Sequence, residues 1–106
     1  DFHFGKDTRK EFPCQRGTRL VIDEKGEGHH AKIENAVQVK EIKKGGWNAC
    51  RIVARGNHFQ FFINGKLSSE FTDKLNGQQL GRGFIGLQLH DKGMVVEFKD
   101  LLLKKG

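Results

Sequence analysis

The sequence predicts an all-β fold, an antiparallel β-sandwich. Runs rich in Phe, Ile and Val follow one another from Trp47 to Lys104, as half-buried strands require. Tight-turn residues separate those runs: Gly56-Asn57, Asn64-Gly65 and Asp91-Lys92-Gly93. Helical periodicity is confined to one short stretch, and 14 glycines in 106 residues punctuate the rest.

The first dozen residues, before Pro13, read as irregular. Alternation supports a strand over Thr18–Asp23, a turn over Glu24–Gly28, and a returning hairpin partner over His29–Glu34. Asn35 is placed to cap a short helix running to Lys43, with Ala36, Val37, Val39 and Ile42 as its weak apolar face. Gly45-Gly46 ends it. A strand over Trp47–Arg55 would send Cys50, Ile52 and Ala54 one way and Arg51, Val53 and Arg55 the other. His58–Ile63 and Lys66–Phe71 complete a meander. Thr72–Arg82 is a polar loop, Phe84–His90 a strand, and Met94–Leu103 the last strand. Short connections between successive strands favour an antiparallel sandwich over an α/β fold.

A length of 106 residues suits a single domain. Hydrophobic residues make up 36% and charged residues 30%, a lean composition for a self-sufficient core. No run approaches a membrane span and no start resembles a signal peptide. The chain opens on Asp1 without Met, as an internal cut would leave it. The net charge of +6 favours anionic surfaces in general. Its basic residues are dispersed, however, and the densest clusters, Lys40–Lys44 and Lys104-Lys105, read as solvated surface. No continuous basic stripe with stacking aromatics is present, so no nucleic-acid partner is expected. Cys14 and Cys50 lack metal-ligand spacing; they are either a disulfide or two buried free thiols.

The candidate site lies on the strand Phe84–His90. Ile85, Leu87 and Leu89 share one face, suited to the core; Phe84, Gly86, Gln88 and His90 share the other. Gly86 leaves that face uncrowded, Gln88 offers hydrogen bonds, and His90 suits proton transfer near neutral pH. An aromatic beside polar groups is what a sugar ring asks for. The plainer alternative is a solvent-facing strand. Trp47 reads as a stacking platform or a core plug. Asn64 with Gly65 reads as turn chemistry. His29 and His30 are adjacent, so their rings point apart on a strand, which argues against a shared metal. His58 has no partner visible in the sequence. No nucleophile triad, phosphate loop or metalloprotease motif occurs.

The stretches Lys43–Asn48, Ile52–His58, Ile63–Gly65, Gly83–His90 and Val96–Asp100 together resemble the 3-keto-disaccharide hydrolase domain family. This former domain of unknown function includes 3-keto-glucoside lyases and hydratases. The resemblance is dense over roughly the last 60 residues. It implies a concanavalin- or LamG-like jelly roll of two antiparallel sheets, of which this chain looks like the C-terminal half, with unpaired edges and exposed core. It implies a carbohydrate substrate, a 3-keto-glucoside or 3-keto-disaccharide, cleaved by β-elimination or hydrolysis. His90 would then be the catalytic base or a ligand, Gln88 and Trp47 would contact substrate, and a hydrogen-bond donor or a divalent metal ion would hold the enolate oxygen. The periplasm or cell surface is the implied location. The competing class is a non-catalytic carbohydrate-binding jelly-roll module. The sequence leaves the aglycone, the metal and the oligomeric state open.

Overall fold

The computed structural model describes residues 2–6, 9–75, 86–87, 92–93 and 95–104. Among them it is all-β. An antiparallel hairpin pairs β1 (Phe2–Lys6) with β2 (Arg9–Cys14). A five-stranded sheet contains β3 (Thr18–Ile22), β4 (Gly28–Lys32), β5 (Cys50–Arg55), β6 (His58–Ile63) and β7 (Lys66–Asp73). Its spatial order is β4-β3-β7-β6-β5. The N-terminal dozen residues, expected to be irregular, are thus a hairpin with a register shift between Phe4 and Lys6.

The meander β5–β6–β7 is antiparallel, as its turn residues dictate. Gly56 takes φ of 58°, and Asn64 and Gly65 take 51° and 84°, the left-handed values that tight hairpin turns need. The departure from a purely antiparallel sheet is the centre: β3 runs parallel to β7, with Arg19 opposite Glu70 and Ile22 opposite Asp73. A parallel pair cannot be joined by a hairpin. Here β4, β5 and β6 intervene, and the chain passes from one sheet edge to the other through residues 33–49.

That crossing explains why the expected helix over 35–43 is absent. Spanning four strand spacings takes about 19 Å, more than nine helical residues would reach at ~1.5 Å each. Asn35 sits at φ of 56°, which is not the extended conformation of an N-cap. Only Val39–Glu41 forms a 3-10 turn, started by Gln38, whose amide donates to Glu41 Oε2 at 2.7 Å. Ile33, Ala36 and Val37 are buried and anchor the crossing, while Val39 is exposed. The amide of Val37 donates to Leu67 O, and Arg16 donates to Val37 O.

The core lies on one face of the sheet. Leu20, Ile22 and Phe71 are buried there with Cys14, and Phe59 and Leu75 pack against them. The rings of Phe59 and Phe71 meet at 5.8 Å, tilted by 47°. Cys14 is a buried free thiol held against Glu70 O at 3.2 Å, and burial raises its pKa. Cys50 is also free but exposed, because β5 is an edge strand. The disulfide alternative therefore fails, and so does burial of the second thiol.

The last strand expected over Met94–Leu103 does not form in its described part. Residues 95–104 belong to no strand, and Asp100 takes φ of 53°, which breaks an extended run. Val95, Leu101, Leu102 and Leu103 are largely exposed. Gly86 and Leu87 also lie outside any strand, and the remainder of the expected strand Phe84–His90 lies outside the described residues. No described helix is long and apolar enough to cross a membrane.

Candidate functional site

The face of the sheet opposite the core is polar, and register decides its content. One row across the sheet reads His29, Val21, Thr72, His58, Arg55. The next reads Ala31, Arg19, Glu70, Gln60, Val53. Phe62 and Arg51 continue the face on β6 and β5. This is the alternation of β5 carried across its partners: the residues opposite in sign to the core positions share one surface.

Two regions of this face differ. At its centre the charges are paired. The Glu70 carboxylate lies 3.3 Å from His58 Nε2 and 3.4 Å from Arg19, and only 13% of its side chain is exposed. The other ring nitrogen of His58, Nδ1, meets Thr72 Oγ1 at 2.9 Å. A carboxylate accepts only, so a hydrogen bond between Nε2 and Glu70 is donated by the imidazole, while the threonine hydroxyl can donate to Nδ1 or accept from it. Both ring nitrogens thus stand beside protein partners that hold the ring in place. This network was not legible in the sequence, where the partners stand 12 to 51 positions apart; alternation on β6 and β7 was the available signal.

Toward β5 the face opens into a cavity of about 300 Å³, lined by Arg51, Val53, Arg55, His58, Gln60 and Phe62. That volume is at the lower end for small-molecule sites. An aromatic ring, an amide and two guanidiniums converge on it. Such a set provides a stacking surface together with hydrogen-bond donors and an acceptor. None of the lining side chains carries a carboxylate.

Trp47 is not a core plug. It is half-exposed and lies outside the cavity lining, with Lys99 Nζ 4.2 Å from its ring centroid. Its loop is held by Asn48, whose Oδ1 accepts from the Lys43 amide at 2.8 Å and from Asn64 Nδ2 at 2.9 Å. Asn64 also accepts from the Ala49 amide and donates to Glu41 O. The Gly-Gly-Trp-Asn and Ile-Asn-Gly stretches thus lock two loops together at the end of the sheet where β5 begins. The sequence reading of Asn64 as turn chemistry captured half of its work. His90 and Gln88 lie outside the described residues; among the described residues nothing crowds the position a Gly86 side chain would take.

One group among the described residues has the chemistry of a metal-ligand set. Asp23, Glu27 and His29 bring ligand atoms within 4.8 Å of one another. Two carboxylates and an imidazole are a donor set for a divalent transition ion. But Asp23 Oδ1 already accepts from the amides of Lys25 and Glu27, and Oδ2 holds His29 Nε2 at 2.8 Å. That hydrogen bond, with the amides, lowers the Asp23 pKa to about 2. The group sits at the β4 edge, three strand spacings or roughly 14 Å from the cavity side of the sheet. It does not fit a metal acting at the cavity. Adjacency in sequence argued against a shared metal at His29 and His30, and His29, on β4, meets Asp23 of the β3–β4 turn instead.

The profile of a family described as the 3-keto-alpha-glucoside-1,2-lyase-like domain matches residues 7–104. No curated protein matches the chain, and no solved structure does.

Proposed function

From the chain's membership of the 3-keto-alpha-glucoside-1,2-lyase-like domain family, we propose that it binds a 3-keto-glucoside on the polar face of the sheet and takes part in cleaving its glycosidic bond. The observation that carries this reading is the cavity between β5 and β6, with Phe62 to stack on a sugar face and Gln60 and Arg55 to meet its oxygens. The C3 ketone acidifies the proton on C2. A base removes that proton, the enolate expels the aglycone oxygen from C1, and water then adds to the enone. His90 is the proposed base and Gln88 its neighbouring substrate contact, both by family resemblance; Trp47 is a further proposed contact. The enolate oxygen takes hydrogen bonds from the Arg55 guanidinium, which lies across from His58 at one end of the cavity. No step is routed through a metal. The periplasm or cell surface is the proposed compartment.

One observation favours a second reading, a binding module without catalysis. The imidazole that lines the cavity, His58, has both ring nitrogens beside protein groups, Thr72 Oγ1 and the Glu70 carboxylate, which take the positions a base would turn toward substrate. The test follows methyl 3-keto-glucoside by proton NMR in the presence of the protein, and repeats it with His90→Ala and Gln60→Ala. The lyase reading expects loss of the C1 and C2 signals, slowed about a hundredfold or more by His90→Ala. Full turnover in His90→Ala would remove the role given to His90. Binding that Gln60→Ala weakens, without any turnover by the parent protein, would leave the binding module as the function.

A further inference from the structure

The proposed chemistry uses one cation at the cavity, and the cavity has two. Arg51 and Arg55 stand on the same face of β5, four residues apart. At the rise of a strand their Cα atoms are about 13 Å apart. The proposed enolate contact uses Arg55 alone. Arg55 lies opposite His58, and Arg51 lies opposite Phe62, at the other end. Neither makes an ion pair among the described residues, whereas Arg19 and Lys66 do. The carboxylate on this face, Glu70, is committed to His58 and Arg19 and does not line the cavity.

A neutral glycoside seated on Phe62 would cover the Arg51 guanidinium without compensating its charge, and covering a charge that has no ion pair among the described residues is costly. A ligand carrying its own anionic group at that end would remove the penalty. Arginine is the side chain suited to it, since its planar fork matches carboxylate, sulfate or phosphate oxygens in a bidentate pair. We infer that the ligand is an anionic saccharide, with its sugar ring on Phe62 and Gln60 and its negative substituent paired with Arg51. The inference rests on the carbohydrate reading above and adds the charge class of the substrate.

The experiment compares methyl 3-keto-glucoside with its C6-carboxylate counterpart, methyl 3-keto-glucuronoside, by NMR shift titration at low salt. The expected result is about tenfold tighter binding of the carboxylate, the scale of one charge-assisted hydrogen bond at an open site. That ratio should fall when salt is raised, since the pair is exposed to screening. Arg51→Gln should bring the ratio to about one, Arg51→Lys should keep part of it, and Arg55→Gln should keep most of it; retained peak dispersion reports that each variant is folded. Equal affinity for both saccharides in the parent protein would overturn the anionic substituent and leave the carbohydrate reading standing. A preference that survives Arg51→Gln would also overturn it. No binding of either saccharide would sink both readings. Acetate or a short oligonucleotide displacing the uronoside at equal concentration would mean a general anion surface, and would overturn the inference as well.

Discussion

Strands β7 and β5 have similar alternating sequences and opposite fates. In β7, four of eight residues, Ser68, Ser69, Phe71 and Asp73, are buried. In β5 none is, and Ile52 on its core-side face remains 54% exposed. The difference is position. Strand β7 is flanked by β3 and β6, while β5 has a neighbour on one side only among the described residues. Alternation tells which way a side chain points; the sheet order tells whether anything is there to meet it.

Truncation should expose that contrast most sharply. Phe71→Ala removes a ring from a closed core and is expected to cost about 3–5 kcal/mol of stability. Ile52→Ala, on the matching face of β5, should cost less than about 1 kcal/mol, because water already reaches the side chain. Urea denaturation of both variants measures the pair, and similar losses would mean that β5 is covered in solution.

Smaller, but still clear, is the expected loss at the turn that ends β6. Asn64→Ala removes hydrogen bonds to Ala49, Glu41 and Asn48 and puts alanine at φ of 51°. A loss of about 1–2 kcal/mol is expected. Amide exchange should quicken at Ala49 and around Trp47, whereas amides of β3 should be unchanged.

The smallest effect belongs to the β3–β4 turn. The Asp23 carboxyl has its pKa lowered to about 2, against a usual 3.8, by His29 and by backbone amides. A depressed carboxylate stabilises the fold above its unfolded pKa and loses that contribution as pH falls through the folded value. The turn should therefore hold at pH 4 and loosen toward pH 2. Carbon-detected NMR of the Asp23 carboxyl gives the midpoint; one near 3.8 would mean that the His29 contact does not persist in solution.

These contrasts also separate what the sequence made legible. The meander over Cys50–Asp73 was readable because each of its turns is local and chemically explicit. The polar and apolar faces of β5 followed from alternation alone. The parallel join of β3 to β7 was not readable, since nothing local encodes a partner some fifty residues away. The helix expected at Asn35 failed because the need to span the sheet overrode a weak local propensity. For the site, a sugar-suited polar face was anticipated on Phe84–His90, of which Gln88 and His90 lie outside the described residues. The described cavity instead draws on β5 and β6, where His58 found partners only after folding brought Glu70 and Thr72 beside it.

The parallel join has a further consequence, for the order of events in time. The β6–β7 turn closes over two residues, while pairing Arg19 with Glu70 closes a span of 51. Loop entropy rises by roughly 0.6 kcal/mol with each doubling of length, so the long closure is entropically the later one. The meander should therefore assemble first and act as a template, with β3 docking onto β7 near the end and sealing Leu20 and Ile22 into place. Removing Leu20 side-chain mass by Leu20→Ala should then speed unfolding and leave the folding limb of the chevron nearly unmoved. A slowed folding limb would reverse that order.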